Sequence, residues 1–458
     1  MMVVPGRPSA RALTFWVLTD TPGAPDLRLE GAGAVQAQLQ VVSLAGPGDP
    51  ALAQRIQLVT CLGLQPDQRY RLTVSRDGVF AEGWSRTFPE RIAQGSPFTI
   101  ALGSCFCIAR NRGIDACYPP KLHATEADPI RFRVLAGDQL YMDSSESTGW
   151  FITTPAPKPF ERYLSQWSKL LYATWLARSP NLMLADDHDF WNDYPHGSAW
   201  LLWSESKPNG PLGRAMDRAF SLFQGALNLE AGRAASAGLN LQSRLGTEAR
   251  SFQLDVAPLS FFFLDTRTER SRYDSAQPHF CSPTNLARAV GWARALTGPG
   301  VLVLQQPLVE TRAGALARSL GAVLDVNLPD YPADFRALWE AVSNAPHDVA
   351  VLAGDIHYTR LYSISREPIA KNRVYEIVSS PLARIPFSTK ANDAITGKVQ
   401  FGGGNARWTK FFAGAPEATY ATVSFQPMSG YLRLWVRAWL VGEQGQAKLG
   451  WERTLTMK

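Results

Sequence analysis

The chain has 458 residues, 45% hydrophobic and 19% charged with no dominant residue type, so it carries apolar material for a large core, which excludes a disordered or fibrous protein. At about 150 residues per domain, the length suits roughly three domains or one large α/β unit with an appendage. The net charge is +6 and only ten of the 46 basic residues are lysine; no basic stripe marks a nucleic-acid-binding domain.

Five cysteines, Cys61, Cys105, Cys107, Cys117 and Cys281, are too few and too irregularly spaced for a disulfide framework, so a reducing compartment or a metal is expected. No stretch approaches the roughly 18 to 20 apolar residues that span a bilayer. Near the start, Arg7 and Arg11 precede the apolar run Ala12 to Leu18 without a twin-arginine pair or a small-residue cleavage site. The run therefore reads as a strand. A cytoplasmic monomer is expected, or a periplasmic or secreted one if a leader has been removed.

In chain order, residues 1–95 predict an all-β sandwich of immunoglobulin or fibronectin type. Short runs (Leu13 to Leu18, Val35 to Leu44, Arg55 to Leu62, Tyr70 to Ser75) are separated by Pro, Gly and Asp, with no helical period. The turn before Tyr70, a tyrosine that enters a strand, strengthens this reading. The segment Pro89 to Pro97 predicts a linker.

Residues 96–458 predict a layered α/β domain, because continuous apolar strands alternate with amphipathic helices. The strands are Phe98 to Leu102, Phe132 to Ala136, Asn181 to Ala185, Leu259 to Leu264, Val301 to Leu304, Val349 to Ala353 and Val374 to Val378. Helical stripes run through Phe160, Tyr163, Leu164, Trp167, Leu170, Leu171 and Trp175, and again through Phe335, Leu338, Trp339 and Val342; both predict core. Residues 419–457 predict closing strands. The aromatic and glycine-rich segment Phe190 to Leu212 reads as a substrate-facing loop.

Four of the predicted strands end in polar clusters: Gly103-Ser104-Cys105, Gly137-Asp138-Gln139-Leu140-Tyr141, Asp186-Asp187-His188-Asp189 and Gly354-Asp355-Ile356-His357. Any one of them is an ordinary turn or cap. Ligands of open α/β sheets bind beyond the carboxyl ends of strands, however, so four such tips point to one site. Cys105, His357 and Tyr141 offer donors for a ferric or zinc-like ion, whereas Asp187, Asn192 and Asp355 offer oxygens for calcium, magnesium or manganese. Asp138 is suited to bridge them. Two cations about 3.5–4 Å apart would polarise a phosphoryl oxygen and generate hydroxide near neutral pH, which predicts hydrolysis of a phosphate ester. His188 is placed to protonate the leaving group, with Asp189 as a candidate to orient its ring. Arg267 and Arg270, after the strand ending at Leu264, are candidates to bind the phosphate, with a structural ion pair as the equal alternative. His123, His196, His279 and His347 have no partner cluster and read as surface or loop residues.

GSC (103–105), GDxxY (137–141), DDHD with a following Asn (186–192), DxRxxR (265–270) and GDxH (354–357), in this order behind an N-terminal sandwich, resemble the PhoD family of alkaline phosphatases among the calcineurin-like metallophosphoesterases. The resemblance spans most of the chain. It implies the metallophosphoesterase α/β/β/α sandwich and hydrolysis of phosphate mono- or diesters, with a small-molecule phosphate ester as the partner. It also implies ferric iron on Cys105, Asp138 and Tyr141, and calcium on the oxygen side, with manganese, magnesium or zinc as substitutes. By this match DDHD stands where relatives carry GNH[DE], making Asp187 a ligand and His188 the acid. Phe106 follows the GSC motif where a polar residue is common, and Cys107 comes next, so either thiolate is a candidate, with Cys105 favoured by its place in the motif. The alternatives are a di- or triesterase with little monoesterase activity, and a non-catalytic metal-containing binding protein.

Overall fold

The computed structural model describes all residues except 32–36, 45–54, 111–128, 146–157, 197–207, 232–244, 247, 273–274, 310–325, 368–371, 384–395, 402–403, 415–416 and 443–445. At the N-terminus, β1 (Met2–Pro5), β2 (Ala12–Leu18), β4 (Gln38–Ser43) and β5 (Ile56–Leu62) form one antiparallel sheet, in the order β1-β2-β5-β4. A second sheet joins β3 (Asp26–Gly31), β6 (Arg69–Arg76) and β7 (Val79–Arg86). Leu13, Phe15 and Val17 of β2 meet Leu72 and Val74 of β6 in a core shared by the two sheets. Alternation along β6 follows from this one-sided burial: Tyr70, Leu72 and Val74 point inward, and their neighbours do not. The Tyr70 hydroxyl accepts the Gln65 amide at 3.0 Å, tying the strand to the preceding turn.

Strand β2 does not alternate, since all seven of its residues are buried. Its second face packs on helices: the Trp16 indole donates to the Leu222 carbonyl at 2.8 Å and lies edge-on to Trp167 at 5.1 Å. The segment 89–97, expected to be a linker, is pinned as well. Ile92 is buried, and its amide donates to the Ala257 carbonyl at 2.8 Å.

Two larger sheets position the strand tips. The first runs β10 (Asn181–Leu184), β9 (Ile130–Ala136), β8 (Phe98–Gly103), β19 (Thr419–Met428), β20 (Tyr431–Val441), β21 (Ala447–Met457). Here β8, β9 and β10 are parallel, and β19 joins β8 antiparallel, so the C-terminal strands extend the sheet. The second has eight strands: β11 (Phe252–Val256), β12 (Leu259–Phe263), β13 (Gly300–Val303), β14 (Val349–Ala353), β16 (Val374–Val378), β15 (Arg360–Glu367), β18 (Gly404–Ala413), β17 (Thr396–Phe401). Its neighbours β12, β13, β14 and β16 are parallel.

Parallel strands buried on both faces read as largely apolar runs, the pattern of these seven, in which buried Arg133 of β9 and Glu376 of β16 are the charged exceptions with Arg131. Ile100, Val134 and Val423 of the first sheet pack on Phe261, Val303 and Leu352 of the second in one core. The outer face of the first sheet is covered by α1 (Pro159–Trp167), α2 (Leu170–Ala177) and α3 (Pro211–Phe223), and the outer face of the second by α4 (Pro283–Arg294) and α5 (Pro332–Ser343). The stripe 160–175 is two helices, not one. Lys169 takes extended backbone (φ −64°, ψ 124°) between them, which resets the helical phase. As a result Tyr172, Trp175 and Leu176 turn inward, while Leu170 and Leu171, expected in the core, are 79% and 56% exposed.

Candidate metal centre

The carboxyl ends of the two parallel sets meet where the sheets face each other. The meeting is close enough to exclude side chains: a Cβ on Gly354, at the tip of β14, would lie 2.4 Å from Ser104 Cβ at the tip of β8 and 2.6 Å from the Ala136 carbonyl at the end of β9. Gly137 has φ +95°, and a Cβ there would lie 2.5 Å from that of Asp186. The glycines of the two strand-tip Gly-Asp pairs, 137–138 and 354–355, are therefore steric requirements. The residues after the tips turn sharply, so Cys105, Asp138, Asp355 and His357 all hold left-handed backbone, with φ between 54° and 72°. For residues other than glycine this conformation costs on the order of 1–3 kcal/mol each, a strain concentrated at one place.

That place collects metal-binding donors. Among the described residues, three overlapping groups bring ligand atoms within 4.8 Å of one another: Cys105 with Asp138 and His357; Asp138 with Asp187 and His188; and Asp138 with Asp186, Asp187 and Asp355. Asp138 belongs to all three. The Tyr141 hydroxyl donates to Asp138 Oδ2 at 3.3 Å, and Cys105 Sγ lies 3.5 Å from the same oxygen. Cys107 is buried beside Cys105 and Tyr141 but contributes to none of the three groups.

Electrostatics identifies what such a site would accept. Burial pushes the Cys105 thiol well above its ordinary range, and the Asp138 and Asp355 carboxylates push it further. Asp138 is itself raised, by burial and then by Asp187, and the Tyr141 phenol by burial and then by Cys105 and Asp138. Burial and the mutual repulsion of neighbouring acids favour the protonated forms. A cation at the centre would allow them to ionise together, so the donor set fits metal ions, with sulfur, phenol and imidazole on one side of Asp138 and carboxylates on the other.

His188 lies against this group. Its ring stacks on that of Tyr141 at 4.5 Å, and its Nε2 is 3.9 Å from Asp187 Oδ2. Its Nδ1 meets Asp143 at 2.8 Å, and Asp143 is in turn held by the Asn192 amide at 2.7 Å. Burial pulls the His188 pKa down, but Asp143 and Asp187 outweigh it and hold the ring protonated well above its usual range.

Asp143 is therefore the residue that orients His188, which corrects the expectation for Asp189. The Asp189 carboxylate instead accepts the amides of Asp138, Leu140 and Asp186 at 3.0–3.1 Å and the Gln224 side chain at 2.8 Å, locking two strand tips together. Burial raises its pKa to about 7. Asn192 reaches the site through its backbone. Arg267 pairs with Asp186 and lies 3.8 Å from Asp187, and it donates to the Tyr194 carbonyl, the ion-pair alternative of the two readings. Arg270 donates to the carbonyls of Thr266 and Val326 and to Gln306, whose amide reaches Asp355 at 3.3 Å.

The expected substrate loop begins as core: Phe190, Trp191 and Tyr194 are buried, with Phe190 stacked on Tyr194 at 4.1 Å, and residues 197–207 lie outside the described residues. His196 is buried and His279 pairs with Asp334 at 3.0 Å, so neither is the isolated histidine expected; His123 lies outside the described residues. Asp143 and Asp186 were missed as participants. Asp143 sits in an unremarkable Met-Asp-Ser-Ser stretch, and its only signal is its position two residues after Tyr141.

Comparison with sequence families and with curated proteins returns no match. Among solved structures the chain is similar to one of PhoD, with a TM-score of 0.63 and 14% identity, over 99% of this chain and 89% of that one. No helix among the described residues is long and apolar enough to cross a membrane. This chain therefore shares a mixed α/β fold with PhoD along almost its whole length.

Proposed function

We propose that the protein is a PhoD-like metallophosphoesterase that hydrolyses phosphate mono- or diesters at a two-metal centre. The observation that supports this reading most strongly is Asp138, a buried carboxylate common to three groups of candidate metal-binding donors, beside a histidine held by Asp143. Cys105, Asp138, Tyr141 and His357, the side with sulfur, phenol and imidazole donors, would hold one ion, proposed as ferric iron. Asp138, Asp187, Asp355 and Asn192 would hold the other, proposed as calcium with manganese, magnesium or zinc as substitutes. Bound there, the pair would supply Lewis acidity toward the phosphoryl oxygens and an activated water.

The chain's own residues would do the rest. Asp143 holds Nδ1 of His188, leaving Nε2 toward Asp187 and the donor cluster, where a leaving oxygen would need a proton. Arg267 fixes the Asp186-Asp187 turn, and Asp189 ties that turn to the Asp138 loop. These contacts resist the mutual repulsion of the acids.

The test is elemental analysis of purified protein together with rates on a panel of phosphomono-, di- and triesters. Iron with a second metal, visible charge-transfer absorption lost in Tyr141→Phe, and ester hydrolysis abolished by chelation are expected. A metal-free protein hydrolysing none of the panel would overturn the proposal.

A further inference from the structure

Cys105 and His357 stand on different sheets, and a residue outside every sequence motif touches both. Ser380, two residues past the end of β16, is completely buried. Its hydroxyl donates to Cys105 Sγ at 3.2 Å, and its oxygen accepts the His357 amide at 3.2 Å. A serine hydroxyl has a single proton. With the backbone amide of His357 taken on the acceptor side, that proton is directed at sulfur.

The surroundings leave Ser380 little freedom. Its carbonyl accepts from the Thr359–Thr419 hydroxyl pair, whose oxygens lie 3.4 and 3.3 Å from it and 2.6 Å from each other, and the amides of Leu382 and Ala383 donate to the carbonyls of Ser104 and Cys105 at 2.8 and 3.3 Å. Swinging the serine away would open this seam between the sheets. Ser104 Oγ also lies 3.4 Å from the sulfur, but it has the Ser379 carbonyl as a competing acceptor at 3.2 Å.

We propose that Ser380 is a positioning residue that hydrogen-bonds the Cys105 thiolate and so sets how strongly this sulfur binds a cation. The inference rests on Cys105 being a ligand. A hydrogen bond to a thiolate draws electron density from the sulfur, which fixes its orientation and lowers its donor strength. The charge-transfer energy of the metal–sulfur bond then reports the bond directly, whatever the turnover.

The test uses cobalt(II) as the probe, added to the full-length protein after chelation. Wild type is expected to show a near-ultraviolet sulfur-to-cobalt band that Cys105→Ser abolishes. Ser380→Ala should keep the band but move it to lower energy, because a sulfur relieved of the hydrogen bond is the stronger donor, and Ser380→Thr, which keeps the hydroxyl, should return it toward its original position. Resonance Raman of the cobalt-loaded wild type needs no variant to fold: its metal–sulfur stretch should shift on exchange into deuterium oxide. A band in Ser380→Ala at the wild-type energy, or a stretch insensitive to deuterium, would overturn the role of Ser380 while leaving the metal centre standing. Absence of the sulfur band in wild type would remove Cys105 as a ligand, and the inference would fall with it.

Discussion

His188 and Asp143 make the most specific chemical statement in the structure, a buried imidazole with one nitrogen held by a carboxylate and the other left toward a cluster of acids. If His188 donates a proton to the leaving group, His188→Ala keeps its metals and loses about 10²- to 10⁴-fold in rate on alkyl esters. The loss on esters of acidic phenols is much smaller, because their departing oxygen needs little protonation. Equal defects on both, with depleted metal, would remove the histidine from the reaction. Asp143→Asn keeps a group to hold the ring but deletes the charge that favours imidazolium. The His188 pKa then falls, and the basic limb of the pH–rate profile moves to lower pH. An unmoved limb would show that this ring does not govern it. Cys107 illustrates the limit of residue identity. It has the same chemistry as Cys105 and lies two positions away, yet only Cys105 takes the left-handed turn that brings its sulfur beside Asp138.

Single tips matter less than their registry. Cys105, Asp138, Asp187 and Asp355 end four strands from two sheets, and the residues binding those ends together carry no metal-ligand signature: Gly354 against Ser104, Asp189 across three amides, Arg267 on Asp186. Gly354→Ala would force a methyl group against the Ala136 carbonyl, which has no rotamer by which to yield. A destabilisation of about 1–3 kcal/mol is expected, with weakened metal binding as the sheets part. Denaturant midpoints and metal content measure both, and an unchanged protein would show that the contact is softer than its geometry. The same dependence on registry explains the helical segment 159–177. Spacing alone placed Leu170 and Leu171 on the inner stripe, but the break at Lys169 shifts the phase of everything after it.

Across the whole molecule, the N-terminal sandwich is joined to the layers that carry the site by an apolar core and by ion pairs. Trp16 belongs to one core with Trp167, Phe223 and the outer face of β8–β10. Trp16→Ala should cost about 3–5 kcal/mol and lower a single cooperative unfolding transition. An early, separate transition of the first 95 residues would show instead that they fold independently. Asp67 pairs with Arg86 of β7 and Arg131 of β9. Burial acts to raise its pKa, but hydrogen bonds from Arg131 and Arg86 outweigh it and hold the carboxyl below its ordinary value. A carboxyl more acidic folded than unfolded stabilises fully above its unfolded pKa, about 3.9, and that contribution disappears as pH falls through the lowered folded value. The stability difference between wild type and Asp67→Asn should therefore shrink as pH drops from 7 toward 3. A difference independent of pH would assign the effect to packing.

The amino-acid sequence by itself determined the strands that carry the candidate site, because parallel strands buried on both faces are largely apolar runs against which their polar tips stand out. It also named the candidate donors Cys105, Asp138, Tyr141, Asp187, Asn192, Asp355 and His357 and the candidate acid His188, whose side-chain chemistry is apparent wherever they stand. Strands such as β3, β7 and β15 were not legible, since each mixes arginine and glutamate with its apolar residues and so looks like the loop beside it. Only the tertiary structure decided that Asp143, not Asp189, holds His188, that Arg267 braces Asp186 and Arg270, through Gln306, Asp355, and that Ser380 reaches Cys105 from 275 positions away. These roles depend on which groups lie within about 3 Å once two sheets have closed on each other, a relation among distant residues that no local pattern encodes.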